Sequence, residues 1–364
     1  MQRFDGLEGA RGWLAWTVVV THILQLTQIT NEYPILLPLR DLGDTAVQVF
    51  IILSGFVICH LILEKREPYR AYLIRRFMRI YPVYFVCLAL GIVSTFWFFE
   101  VLTASPWGTS LAAGPHMHAQ IASMKDGGLY AHLLAHVTLL HGAIPTNILY
   151  ESQFFFLSPA WSLSLEWQFY LVAPLVMAMI ARPGSRLLLV AIAIAAQVAY
   201  DQRMFGEFQL PSFLPGAVTL FATGIVSRLA TPYLFGKVPF PGAALLLFGG
   251  LLLVADVTQI HYVLWAVVIA SVWAGGPEGK PAGLGRLLDG KVALWFGARS
   301  YSTYLVHVPI IQGLICLCAV IGFDYALTVA FTAILTPPAV LLASDLLHRL
   351  VEKPGIALGR RLAR

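Results

Sequence analysis

The 364-residue sequence is 58% hydrophobic and 12% charged, with a mean hydropathy of +0.75. That charged share is about half of what a soluble domain carries, so a water-soluble globule is excluded. Disorder and collagen-like structure are excluded as well, because 22 Phe, 14 Tyr and 9 Trp accompany the aliphatic residues. The net charge of +5 fits either a nucleic-acid partner or the cytoplasmic bias of a polytopic membrane protein, and only the placement of the charges separates the two.

Apolar runs of spanning length, about 17 to 25 residues, fall near 13–30, 44–64, 80–100, 161–180, 213–229, 240–256, 259–274, 300–320 and 325–347. The run 186–200 is short, but it carries no charge after Arg186 and is bounded by Pro183-Gly184 and Asp201; it makes a tenth. The expected fold is therefore an all-α integral membrane protein with about ten transmembrane helices, forming one multi-pass domain over residues 1–364. With a cytoplasmic N-terminus, all of the 24 Lys and Arg except Arg40, Lys125 and Arg203 fall in inner segments. This asymmetry places both termini in the cytoplasm and removes the need for a nucleic-acid partner. The first span lacks a small-residue cleavage site and is followed by further spans, so it is expected to stay in the mature protein.

The non-cytoplasmic segment at about 101–160 is long. Within it LYAHLLAHVTLLHG, 129–142, is apolar but too short to span, and is expected to lie along the interface or to re-enter. Cys59, Cys87, Cys316 and Cys318 sit inside apolar stretches, where thiols act as small buried hydrophobes and neither a disulfide framework nor a CxxC site is indicated.

An ionisable side chain inside a span is costly, by about 2.5 kcal/mol or more, and marks a functional candidate. His22 lies near the middle of the first span, with Arg11 nearer its inner end. Their separation is three turns plus about 20°, with about 16 Å of rise, so both share one helix face at different depths. A base at membrane depth with a cation nearer the cytoplasm suits an anionic substrate; a histidine that merely bonds a neighbouring helix is the competing reading. In YRAYLIRRFMRIYPVY, 69–84, Arg75, Arg76 and Arg79 stand at a helical entry into the third span. Their forks suit phosphates, although positive-inside anchoring accounts for such a cluster too. Glu166 lies about one turn inside the outer boundary in SPAWSLSLEWQFYLVAPL, 158–175, and needs a partner there. His307, in SYSTYLVHVPI, stands about two turns into the ninth span, just before Pro309.

Weaker signals come from His132 and His136, four apart, with His116, His118 and His141 nearby. No carboxylate or Cys completes a ligand set, and no metal is expected. The glycines of DGLEGARG, 5–12, follow no strand, so a nucleotide-cradling loop is unsupported. Ser54, beside Gly55 in FIILSGF, reads as close helix packing or as a second-tier nucleophile.

Several stretches together resemble one family, the membrane acyltransferase 3 family of integral-membrane O-acyltransferases. LEGARG with the gap to His22 resembles its N-terminal Arg-to-His signature, and VFIILSGF its aromatic Ser-Gly motif. RRFMR with IYP resembles its paired-arginine loop; WSLSLEWQFYL, SYSTYLVHVPI and the closing LVEKPGIALGRRL resemble its later signatures. Glu8 stands where the family more often has Asp, and Trp167 where a second carboxylate is frequent, so only Glu166 can carry an acidic role there. The likeness is to stand-alone members, without a fused soluble domain.

The resemblance implies acyl transfer, usually acetyl, from cytoplasmic acyl-CoA to a hydroxyl of a carbohydrate, such as a cell-surface or secreted polysaccharide, or of a small natural product. It implies a multi-pass enzyme of the cell membrane with no permanently bound cofactor. His22 would be the general base or the acyl carrier, Arg11 and Glu166 would assist it, and Arg75, Arg76 and Arg79 would hold the coenzyme phosphates. His307 and Ser54 are second-tier candidates. A proton-coupled transporter or flippase using His22, Glu166 and His307 as relay is the alternative; the sequence shows no internal repeat to favour it.

Overall fold

The computed structural model describes residues 4–105, 107, 114–125, 127–234, 259–275 and 285–364. Among these the chain is helical and contains no strand. In chain order the helices are α1 (Asp5–Thr27), α2 (Leu37–Lys65), α3 (Tyr69–Ala104), α4 (Gly114–Ser123), α5 (Gly128–Val137), α6 (Trp161–Ala181), α7 (Pro183–Asp201), α8 (Val218–Leu234), α9 (Ile260–Gly275), α10 (Gly285–Asp289), α11 (Lys291–Ile321), α12 (Tyr325–Leu347) and α13 (Lys353–Leu362). Their ends follow local chemistry. Pro183 at the first helical position separates α7 from α6, and the Asp324 carboxylate accepts from the Leu327 N–H at 2.8 Å to start α12.

Seven helical segments among the described residues are long and apolar enough to cross a membrane: Pro34–Lys65, Tyr69–Ala104, Ser158–Ala181, Pro183–Asp201, Leu214–Leu234, Lys291–Ile321 and Tyr325–Leu362. Two of the expected spans fall short of that set. α1 has Arg11, His22 and Gln25 among its apolar residues and is not apolar enough, and α9 has only 16 residues. The expected span 240–256 lies outside the described residues. α7, the shortest apolar run read as a span, has no buried residue and exposes Leu187, Val190, Ile194 and Val198, as a helix surrounded by lipid should.

The chain divides into two compact units. The first comprises Met1–Val18, Asp41–Arg66 and Thr219–Tyr301. Its helices cross with backbones nearly touching. A Cβ on Gly224 of α8 would stand 2.0 Å from the Ile52 carbonyl of α2, and one on Gly9 of α1 would stand 1.7 Å from the Leu288 carbonyl. Small residues permit this approach where lipid supplies no hydrophobic drive between helices. Arg228, buried on α8, donates from Nε to His60 Nδ1 at 2.9 Å and lies 3.6 Å from Glu64.

The second unit comprises Val19–Arg40, Glu67–Val218 and Ser302–Arg364. The segment after α5 folds back on α3 through 3-10 turns at His141–Ala143, Ser152–Phe154 and Ser158–Ala160. Tyr81 and Tyr84 of α3 donate to the carbonyls of Thr138 and His136, at 3.0 and 2.8 Å. α5 buries His132, Ala135 and His136 and exposes Tyr130, Leu134 and Val137. An apolar stripe on its outer side is the pattern expected of a helix lying in an interface. α12 passes without a break through a π-turn, His348–Glu352, into α13. There Gly355 and Gly359 let the helix close onto Met78 of α3.

Candidate functional site

His22 of α1 and His307 of α11 meet in the second unit, with His307 Nε2 3.2 Å from His22 Nδ1. The rings are 4.9 Å apart, edge to face. His307 is fully buried, and its Nδ1 lies 3.2 Å from the Thr303 carbonyl. A carbonyl only accepts, so Nδ1 of His307 carries its hydrogen and Nε2, in the neutral ring, holds a lone pair. In a neutral pair His22 can then donate from Nδ1 to that lone pair, the tautomer in which its own lone pair sits on Nε2. A proton taken up there is stabilised across the Nδ1–H bond, the logic of an oriented imidazole base.

Tyr304 lies one turn before His307, with ring centroids 6.1 Å apart. Its hydroxyl donates to the Pro159 carbonyl at 2.9 Å and receives the Ser162 hydroxyl at 2.7 Å. Ser162, Glu166 and Tyr170 follow at four-residue steps along α6, so they form one polar stripe about 12 Å long. At its far end the Tyr170 hydroxyl donates to Glu166 at 2.5 Å, and the Arg76 guanidinium stands over the Tyr170 ring at 5.8 Å. Trp167 packs against Phe77 and Tyr81 of α3. Through Tyr170, Glu166 is thus brought near the turn of α3 that carries Arg76.

The arginines of α3 have different surroundings. Arg75 pairs with Glu67 at 2.8 Å. Arg76 faces Tyr170. Arg79 is bound to Glu352, whose carboxylate also accepts from Ser302 at 2.8 Å and contacts His348 Nδ1 at 3.0 Å. Neither Glu352 nor Ser302 nor His348 follows from composition or spacing. The available signal was a carboxylate within the closing LVEKPG stretch, directly after an apolar run.

Arg11 and Ser54 fall in the first unit. Ser54 is buried on α2 beside Gly55, where a Cβ would stand 2.6 Å from the Phe221 carbonyl; its setting is that of a helix crossing. His132, His136 and His141 are buried in and just after α5, His136 stacked on His141 at 4.1 Å and His132 on Phe155 at 3.9 Å. Burial holds the His132 and His136 rings down at about 4 and His141 well below the usual imidazole value. The side chains of His116 and His118 lie outside the described residues. Among the described residues no three His, Cys, Asp or Glu gather as a metal site, and all four cysteines are buried thiols.

Residues 4–348 match the family described as an acyltransferase domain. The chain is 27% identical to the acyltransferase MdmB of Streptomyces mycarofaciens over 99% of its own length and 93% of that protein. It is 24% identical to the peptidoglycan O-acetyltransferase OatA of Listeria monocytogenes over 74% of its own length and 45% of that protein. No solved structure matches.

Proposed function

Because this chain belongs to the acyltransferase-domain family, over nearly its whole length, we propose that it moves an acyl group, acetyl in the first instance, from acyl-CoA to a hydroxyl of a carbohydrate outside the cytoplasm. It is a multi-pass membrane acyltransferase; donor, acceptor and residue roles are the proposal. The observation that carries it is the His22–His307 pair. In this reading the Nε2 lone pair of His22 takes the proton of the acceptor hydroxyl as its oxygen attacks the thioester carbonyl. The C–O bond forms, the C–S bond breaks, and the proton passes to the departing thiolate. General-base assistance of this kind contributes about 10²- to 10⁴-fold. The same lone pair could carry the acyl group as an acyl-imidazole between two half-reactions.

Arg75 and Arg76 supply positive charge for the phosphates of the donor, with Glu67 as the partner a phosphate would displace from Arg75. The stripe Ser162, Glu166 and Tyr170 runs from the arginine turns toward Tyr304 and so supports a donor arm lying along α6 toward the histidines. Glu166 would orient that arm or the acceptor. Arg11 lies in the first unit and carries no step here. A carbohydrate acceptor is supported by a relative whose name states its substrate, peptidoglycan.

The test uses membranes expressing the wild type, His22→Ala or His22→Gln at matched levels, supplied with acetyl-CoA and polysaccharide acceptors. Release of free coenzyme A is expected to fall by about 10²-fold or more in both variants. Release at the wild-type rate in either variant rejects the base assignment. Acceptor-independent transport with no thiol release by the wild type would favour a transporter instead.

A further inference from the structure

Glu352 occupies a position that the acyl-transfer reading leaves unused. Its side chain has no solvent exposure, while its partner Arg79 keeps 28%. Three donors from three elements converge on it: Arg79 of α3 on one oxygen, Ser302 of α11 at 2.8 Å and His348 of the π-turn at 3.0 Å on the other. A buried carboxylate is tolerated only when paired and hydrogen-bonded to this degree. Replacing such a pair by apolar residues often costs nothing, whereas removing one partner is severe. The pair is therefore weak evidence of net stability.

The same stretch of α3 is held a second time, immediately downstream of Glu352. A Cβ on Gly355 would stand 2.9 Å from the Met78 carbonyl, and one on Gly359 would stand 2.7 Å from Met78 Cβ and 3.7 Å from Arg75 Cα. α13 thus lies against the backbone at Arg75 and Met78 while Glu352 grips Arg79. Arg75 and Arg79 are one turn apart, so the two contacts together fix both the rotation and the height of this turn. Arg76 projects about 100° further round; if α3 rotated by a single residue step, Arg76 would leave Tyr170.

We propose that Glu352 is a positioning residue for the donor: by neutralising and holding Arg79 it sets the orientation in which Arg75 and Arg76 meet the coenzyme phosphates. This rests on the assignment of α3 as the donor-binding helix. It divides the arginine cluster, with Arg79 serving as an anchor inside the protein and its two neighbours reading the anion.

The experiment is titration calorimetry of coenzyme A into the purified full-length protein in detergent, recording affinity and binding-competent fraction separately. A residue needed only for folding lowers the competent fraction; a positioning residue weakens the affinity of the fraction that binds. Glu352→Gln is expected to weaken coenzyme A binding by about tenfold, Ser302→Ala by about two- to threefold, and Glu352→Asp is expected to recover most of the loss. The double variant Arg79→Gln/Glu352→Gln should bind no more weakly than the worse single variant, because the two residues act as one unit. Wild-type affinity in Glu352→Gln, or a further full loss when Arg79→Gln is added, overturns the inference. If Glu352→Gln yields no folded protein, wild-type affinity in Ser302→Ala overturns it. Coenzyme A that fails to bind even the wild type removes the donor assignment itself, together with what rests on it.

Discussion

At the scale of single residues the site depends on which nitrogen carries a proton. In the proposed mechanism His307 serves His22 because the Thr303 carbonyl takes its Nδ1 hydrogen and so keeps Nε2 as an acceptor. His307→Phe keeps the ring volume and removes that acceptor. It should lower kcat by about 10- to 100-fold with little change in donor KM; steady-state rates on the purified variant check this, and an unaltered kcat would leave His307 as packing. His22 was legible in the sequence because an ionisable group within an apolar run stands out. His307 was visible by the same rule, but the pairing was not, since 285 residues separate the two rings. Glu352 was hidden for another reason. A carboxylate at the end of an apolar run looks like a boundary residue until Arg79 and Ser302, 273 and 50 residues away in sequence, are seen to join His348 of its own turn on it.

At the scale of elements the segment around α5 makes a second prediction. His132 is buried against Phe155 and His141 against His136, and burial holds His132 at about 4 and His141 well below the usual imidazole value. Released from the fold, each ring returns to about 6.5. Below that value the undocked segment binds protons that the docked one does not, so docking is fully favoured above about pH 6.5 and weakens as the pH falls toward 4. Limited proteolysis between residues 128 and 160 should therefore accelerate from pH 7.5 to pH 5. His132→Phe, which keeps the stacking on Phe155, should flatten that dependence, and an identical pH profile in the variant would count against it. Helix positions were largely legible, because runs of apolar residues mark them directly. Helix starts were less so: α3 begins at Tyr69 because its arginine-bearing turns, although polar, have good helix formers and a preceding Pro68 that fixes where the helix opens.

At the scale of the whole molecule, charge placement predicts orientation. Lys and Arg gather at alternate ends of the apolar segments, so cysteine-accessibility labelling of single-cysteine variants should find positions near Arg75, Arg186 and Arg360 on one face of the membrane and positions near Lys125 and Arg203 on the other. Labelling of both groups from the same side would refute this topology. The helix total was the least legible property at this scale. α1 is a helix that falls short in hydropathy, with Arg11, His22 and Gln25 among its apolar residues, and α9 is one that falls short in length. One dimension carries a further meaning. α3 has 36 residues, an end-to-end length of about 54 Å, against a hydrocarbon slab of about 30 Å. Even strongly tilted, it overshoots, and its opening turns stand clear of the fatty chains. A water-borne polyanion can dock on them without shedding its hydration in oil, so only the thioester end of such a molecule would have to enter the bilayer.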